Sequence, residues 1–258
     1  MDRNPPPMAG GRDGSPGSWR SERSTTAIVA AVVVLLVLVT VGAIAQALGP
    51  GTPGTGRAVS VSAGPVGTVD LQGVPGQIRI VGTSGDRVRL TGTLHWTGRP
   101  PAGTESADAA ANVLHLSYRC AAGSPCTEDY RLAVPEHTAV VLGQPSGHVI
   151  VSGLADGLRI TAASVDVSAT GLRSPSLTAT ITSGHLTAAF TAPPRTVAVT
   201  LTSAQATLKL PTDTSYAVRR QVTSGSVDVG VPQAAGATRT VTARVVSGDL
   251  ELVPSTAP

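Results

Sequence analysis

The segment Ser183–Ala188, SGHLTA, indicates the fold, because its pattern recurs along the second half of the chain. In each copy a Ser, usually followed by a Gly, precedes residues that alternate between polar and apolar. The six copies read SGHVIV (146–151), SVDV (164–167), SGHLTA (183–188), SAQATL (203–208), SGSVDV (224–229) and SGDLEL (247–252). Their serines lie 18, 19, 20, 21 and 23 residues apart. A near-constant period of about 20 residues is typical of a stacked repeat in which each copy builds one turn.

The alternation within each copy predicts a strand with an inner and an outer face. The third and fifth residues after each Ser are predicted to point inward: Val149/Val151, Leu186/Ala188, Ala206/Leu208, Val227/Val229 and Leu250/Leu252. A second strand precedes each corner, as in 158–160 and 177–181. Two short strands and a corner per repeat predict an all-β, β-solenoid (β-helix-like) domain. An antiparallel β-sandwich is the alternative, since short strands with turns every 8–12 residues are typical of it too.

The corner patterns are similar to those of the bacterial putative-adhesin family. The segments that carry the resemblance are TSGHL (182–186), TSGSVDV (223–229) and VSGDLEL (246–252). The resemblance covers about residues 60–258 and is strongest after residue 140. It implies a β-solenoid-like domain of unknown function, often tethered to the membrane, and it supplies no catalytic residues. The region 92–137 departs from the repeat, so features particular to this protein are expected there.

The N-terminal part of the chain contains one strongly apolar segment, from Ala27 to Leu48, which carries no charge. About 20 residues at a rise of about 1.5 Å match the roughly 30 Å core of a bilayer. We therefore predict a disordered cytoplasmic tail over 1–24, a transmembrane helix over 25–48, a flexible linker over 49–60 and an extracellular domain over 61–258.

Charge around the apolar segment predicts its orientation. Arg12, Arg20 and Arg23 precede it, whereas only Arg57 closely follows it. Because positive charge stays in the cytoplasm, we expect a single-pass protein of the cell membrane with its N-terminus inside. A cleaved signal peptide is the alternative, because the small-residue pattern over 43–47 resembles signal-peptidase sites. Either way the rest of the chain is exported.

The cysteine pair Cys120 and Cys126 is separated by Ala-Ala-Gly-Ser-Pro. In an exported protein such a close pair across a turn predicts a disulfide that closes a loop. A metal or redox pair is the rival, although redox motifs usually place two residues between the cysteines. Trp96, Tyr118 and Tyr130 fall in the same irregular region. They are candidates for a ligand platform, with a small local core as the favoured interpretation.

Stacked coils would align the second residue after each Ser in one polar column. The members of that column are His148, Asp166, His185, Gln205, Ser226 and Asp249. With coils about 4.8 Å apart, His148, Asp166 and His185 could meet at adjacent coils, and two imidazoles with a carboxylate suit a divalent metal. A solvated polar surface is the favoured alternative. The acidic residues Asp228, Asp249 and Glu251 are likewise interpreted as ordinary charged surface rather than a calcium site.

Motif and charge analysis predicts a non-enzymatic protein without a cofactor. The sequence contains no Gly-x-Ser-x-Gly, His-Glu-x-x-His or Gly-x-x-x-x-Gly-Lys motif. After Arg57 there are 14 basic and 13 acidic residues, a net charge of +1, which is no footprint for nucleic acid.

These features predict a membrane-anchored bacterial cell-surface protein for adhesion or envelope scaffolding. The expected partners are the membrane, through the anchor, and an envelope polymer, glycan or surface protein. An accessory of envelope-stress signalling that contacts a membrane regulator is the alternative. An enzyme acting on polysaccharide ranks lowest, because the acidic residues are scattered along the chain rather than clustered.

Overall fold

The computed structural model describes residues 55–255 and the residue pair Leu38–Val39. All elements with regular structure in this part of the chain are strands: β1 (Leu38–Val39), β2 (Thr55–Ala63), β3 (Thr68–Gln72), β4 (Gly76–Thr83), β5 (Val88–Trp96), β6 (Ala102–Asp108), β7 (Val113–Arg119), β8 (Cys126–Pro135), β9 (Ala139–Ser152), β10 (Leu158–Leu172), β11 (Ser176–Phe190), β12 (Thr196–Leu210), β13 (Ala217–Val222), β14 (Ser226–Val229) and β15 (Thr240–Pro254). The all-β prediction is confirmed.

The long strands β9, β10, β11, β12 and β15 form the repeat. Each is 14 or 15 residues long and pairs with its neighbour in parallel, in register across the corner. The corner serines therefore form one row: Ser146, Ser164, Ser183, Ser203 and Ser247. Parallel coils in this register are the β-solenoid arrangement rather than an antiparallel sandwich.

The interior of the coils is filled by the residues that the alternation assigns to the inner face. All ten are buried except Val229, which is partly buried and packs against the core. Their outward neighbours, such as His148, His185 and Glu251, are exposed. The core is narrow and lined by Val, Leu, Ile and Ala, which explains why a chain with one Phe and three Tyr can fill it.

Glycines at the corners allow neighbouring coils to approach closely. Gly184 has a φ of 108°, and a Cβ at this position would overlap the carbonyl oxygen of Val165 on the next coil. Gly248 has a φ of 120° and stands in the same relation to Ala204. L-residues rarely adopt such a φ, so both the backbone conformation and the space require Gly here.

The last coils do not stack in the order of the sequence, which corrects the simple picture of consecutive copies. Strand β15 lies between β12 and the pair β13 and β14. A coil inside the stack must be paired along both edges, and the uninterrupted β15 offers 15 residues for this. Strands β13 and β14 have only six and four residues, separated by a bend, and they form the outermost coil.

The N-terminal part caps the other end of the solenoid with a mixed arrangement. Strands β3 and β4 pair in parallel with the two halves of β9 and so act as one more coil. Strands β7 and β8 in turn pair in parallel with β3 and β4 and form a further coil. Beyond this coil, β5 pairs antiparallel with β8 and β2, and β6 pairs antiparallel with β7. The predicted departure of residues 92–137 from the repeat therefore holds for the antiparallel strands β5 and β6, whereas Val113–Arg119 and Cys126–Pro135 continue the parallel stack.

The predicted boundary of the ordered domain at residue 61 is too late. Thr55–Ser60, assigned to the linker, forms the first part of β2, because Val59 and Val61 alternate with polar residues and are buried. The predicted tail, the rest of the linker and, apart from Leu38–Val39, the predicted transmembrane helix lie outside the described residues. Leu38 and Val39 pair antiparallel with Ser62 and Val61. Within the described ranges, no helix is long and apolar enough to span a bilayer.

Candidate functional site

The polar column predicted from the repeat is present on the outer face of the second half of each coil. Asp166 on β10 lies in register between His148 on β9 and His185 on β11. His185 Nδ1 donates to Asp166 Oδ1 at 3.0 Å, and His148 Nδ1 lies 3.7 Å from Asp166 Oδ2. The hydrogen bond from His185 holds the pKa of the Asp166 carboxyl below its usual range. All three side chains are exposed.

This arrangement joins the three candidate metal ligands to one another. Each imidazole turns its Nδ1 toward the carboxylate of Asp166 instead of toward a shared point at which an ion could bind. In residues 55–255, no three His, Cys, Asp or Glu side chains are grouped to hold a metal ion. The metal hypothesis for His148, Asp166 and His185 stays a prediction.

The far end of the column differs from the sequence order because β15 is inserted. Gln205 lies beside Asp249, and Asp249 lies beside Ser226, whose hydroxyl donates to the Asp249 carboxylate at 2.7 Å. Asp228 lies beside Glu251 on the same face. These carboxylates are exposed and give the second half of the C-terminal coils an acidic outer face.

The cysteine loop joins β7 to β8. Cys120 and Cys126 form a disulfide, as predicted. Arg99 ties the loop to the segment after β5, because its backbone N–H donates to Ser124 Oγ at 2.9 Å and its Nη2 donates to the carbonyl of Ala122 at 2.7 Å. The loop is therefore held by a covalent bond and by two hydrogen bonds.

The aromatic residues of this region form part of the core. Tyr118 and Tyr130 are 2% and 1% exposed and their ring centroids are 5.2 Å apart. The Tyr118 hydroxyl donates to Glu105 Oε1 at 2.9 Å. Burial raises the pKa of both tyrosines well above the ordinary value. Trp96 is partly buried against the same core. The tyrosines are thus not a ligand platform, and the favoured local-core interpretation is confirmed for them.

A buried polar pair, Glu128 and Gln144, was missed by sequence analysis. Glu128 is 3% exposed and Gln144 is 2% exposed. Glu128 Oε2 accepts from the Val74 N–H at 3.1 Å, and Gln144 Nε2 donates to the carbonyls of Val74 at 2.8 Å and Ser146 at 3.0 Å. Together the two side chains provide hydrogen-bond partners for the backbone N–H and carbonyl of Val74, which lies between β3 and β4.

The burial of this pair and its two remaining oxygens favour the protonated form of Glu128. Glu128 Oε1 and Gln144 Oε1 have no partner in the structure, and both lie against Gly73, where a side chain would overlap them. Burial raises the pKa of Glu128 to about 8. A neutral Glu128 carries a hydroxyl that can be donated to the amide oxygen of Gln144, which an ionised carboxylate cannot do.

One signal in the sequence could have revealed this pair. Gln144 occupies the register position at which the other coils place an apolar residue of the core: Ala162, Ile181, Leu201 and Val245. A polar residue at an inner position of a repeat predicts a buried hydrogen-bonding role. Its partner Glu128 comes from the irregular region, so only the tertiary structure brings the two together.

A comparison with known protein families finds a match in the repeat region. Residues 144–253 match the family model described as Toastrack DUF4097. The match spans 110 of the 258 residues, so the repeat region is similar to a Toastrack domain. This match begins at the buried Gln144 and ends within β15, so it covers the regular coils of the solenoid.

Solved structures give more distant likenesses. A putative cell adhesion protein from Clostridium sporogenes aligns with a TM-score of 0.43 and 10% identity, over 84% of this chain and 99% of that one. A putative adhesin from Bacteroides fragilis aligns with a TM-score of 0.37 and 10% identity, over 76% and 97% of the two chains. A putative adhesin from Parabacteroides distasonis gives 0.34 and 10%, over 78% and 98%. No curated protein matches the chain.

Proposed function

We propose that this protein is a membrane-anchored bacterial cell-surface protein whose Toastrack domain serves, without catalysis, in adhesion or in scaffolding of the cell envelope. The observation that carries the proposal is the uninterrupted stack of parallel coils from β9 to β13, which presents two extended and regularly spaced outer faces. Such faces suit extended partners, because equivalent side chains recur along the stack at the strand spacing of about 4.8 Å.

The distribution of polar groups supports a binding role over an enzymatic one. The side chains with clearly raised pKa values lie in the core, where a substrate does not reach them: Tyr118, Glu128, Tyr130 and Tyr216. The exposed carboxylates and imidazoles lie along open faces, whereas catalytic groups usually converge in a cleft. The outer faces therefore offer contact area and hydrogen bonds.

The location at the cell surface rests on the sequence of the N-terminal part. The apolar segment and the arginines before it support a single-pass anchor with the Toastrack domain outside. The disulfide between Cys120 and Cys126 agrees with an oxidising compartment.

The test uses the tagged full-length protein in cells. Protease treatment of intact cells first asks whether the Toastrack domain is exposed, and protection from the protease would overturn the surface location. In-cell crosslinking, affinity capture and mass spectrometry then identify the partner. Recovery of wall polymer, glycan or surface protein supports adhesion or scaffolding.

A matched control distinguishes adhesion from signalling. In this variant the predicted anchor over 25–48 is replaced by an unrelated single-pass segment. An adhesin or scaffold keeps its partners after the replacement, because any anchor holds the domain at the surface. Capture of a membrane kinase or other regulator that is lost with the native segment would overturn the proposal in favour of an accessory of envelope-stress signalling.

A further inference from the structure

The first halves of the C-terminal coils share an outer face that the polar column does not reach. This arginine–threonine face consists of two register rows across five neighbouring strands, β10, β11, β12, β15 and β13. The first row contains Arg159, Thr178, Ala198, Thr242 and Arg219, and the second contains Thr161, Thr180, Thr200, Arg244 and Gln221. Four strand spacings of about 4.8 Å make this face roughly 19 Å long.

Two arginines lie close together at the outer end of the face. Arg219 is the register partner of Thr242, and Arg244 lies two residues further along the same strand as Thr242. A spacing of about 4.8 Å between strands and about 6.6 Å along a strand separates their Cβ atoms by roughly 8 Å. Both side chains are exposed and line one shallow groove together with Arg220 and Thr200.

The face is cationic and its charges are not neutralised by neighbours. Its ten residues include no carboxylate, and none of the ion pairs within residues 55–255 involves Arg219 or Arg244. Along the first row the next acidic group is Asp70, two strands beyond Arg159, and it is paired with His115. The acidic residues of the C-terminal coils project instead from the face beyond the corner.

We propose that the arginine–threonine face binds a linear polyol-phosphate polymer of the cell envelope, with Arg219 and Arg244 holding successive phosphodiester groups. A guanidinium donates two parallel hydrogen bonds to a phosphate and keeps its charge at all physiological pH values. The threonine hydroxyls donate to and accept from the hydroxyls of the polyol between the phosphates. This inference rests on the proposed function, since such a polymer is met outside the cell membrane.

The composition of the face favours this polymer over nucleic acid, which carries the same phosphodiester chemistry. Proteins that bind single strands stack bases on aromatic side chains. The ten residues of the face include no aromatic side chain, so it has hydroxyl groups and positive charge but no stacking platform. A length of about 19 Å favours a chain with several phosphates over a single small anion.

The test measures binding of fluorescent poly(glycerol phosphate) to the purified full-length protein by fluorescence anisotropy. The double variant Arg219→Gln/Arg244→Gln removes the two proposed phosphate contacts. The matched control Arg79→Gln/Arg131→Gln removes two exposed arginines that are register partners on the other outer face, with the same change in net charge. Circular dichroism and thermal unfolding verify that each variant is folded.

We expect the wild-type protein to bind the polymer, with an affinity that falls as salt is added. The affinity of the Arg219→Gln/Arg244→Gln variant for the polymer should be lower by about tenfold or more, because hydrogen bonds to charged groups contribute strongly to binding. The affinity of the control variant should stay within about twofold of the wild-type value. Equal losses in both variants, or no binding by the wild type, would overturn the inference. Tighter binding of polyglutamate or of a single-stranded oligonucleotide would overturn the choice of polymer.

The two proposals fail in different experiments. Protease protection in intact cells would refute the surface location even if the purified protein binds poly(glycerol phosphate). Conversely, unchanged binding by the Arg219→Gln/Arg244→Gln variant refutes the arginine–threonine face and leaves a surface role through another face intact.

Discussion

Replacing Glu128 by Gln tests the protonation state of the buried pair. In the native protein Glu128 is 3% exposed, and burial raises its pKa to about 8 from the ordinary value of 4.5. Gln is close in shape to a neutral carboxylic acid and can donate to Gln144 in the same way. The substitution should therefore preserve the core at low pH and remove one source of pH dependence.

The direction of the pH dependence of stability follows from proton binding. Because the pKa is higher in the folded protein, the native state binds more protons than the unfolded state between about pH 4.5 and pH 8. The contribution of Glu128 to the free energy of unfolding should then be greatest below about pH 4.5 and decrease as the pH rises toward 8. A difference of about three and a half pKa units at roughly 1.36 kcal/mol per unit sets an upper limit of about 5 kcal/mol.

The assay is urea unfolding at several pH values with the disulfide intact. Subtracting the wild-type free energy of unfolding from that of Glu128→Gln isolates the contribution of this group, since other titrating groups cancel. We expect the difference to grow in favour of the variant by about 2–4 kcal/mol between pH 5 and pH 9. Glu251→Gln, at an exposed position, should follow the wild type. A constant difference for Glu128→Gln across this range would refute a buried neutral carboxyl.

Three further predictions concern the corners, the loop and the polar column. Gly184→Ala should lower the free energy of unfolding in urea by about 2–4 kcal/mol, because Gly184 has a φ of 108° and a side chain there overlaps the neighbouring coil. Gly64→Ala, with open space around it, should lower the free energy of unfolding much less. Equal effects of the two substitutions would contradict this account. Reducing the Cys120–Cys126 disulfide should lower the unfolding free energy by about 2 kcal/mol, the loop-entropy value for so short a loop, and an unchanged Tm in reductant would argue against it. Calorimetry should show no zinc binding that depends on His148, because the imidazoles of His148 and His185 face Asp166 and not a common point. Zinc binding by the wild type that is lost in His148→Ala would support the metal hypothesis.

Much of the repeat region could be predicted because its residues act locally. Alternation after each Ser assigns the inner and outer faces, and a spacing near 20 residues sets the length of a coil. The row His148–Asp166–His185 followed from that period alone, and the structure places the three in register. Such features depend on neighbours of the same kind, so each copy in the sequence supports the others.

What the sequence determined by itself is the period, the two-faced strands, the glycine corners and the closely spaced cysteine pair, since each depends on residues near one another in the chain. The position of β15 between β12 and β13 depends on tertiary pairing, because strands with similar patterns compete and the longer strand pairs more fully along both edges. Tertiary pairing also brings Glu128 and Gln144 together around Val74 and places Arg219 and Arg244 on one face. These contacts join distant segments, and no local pattern specifies which strands become neighbours.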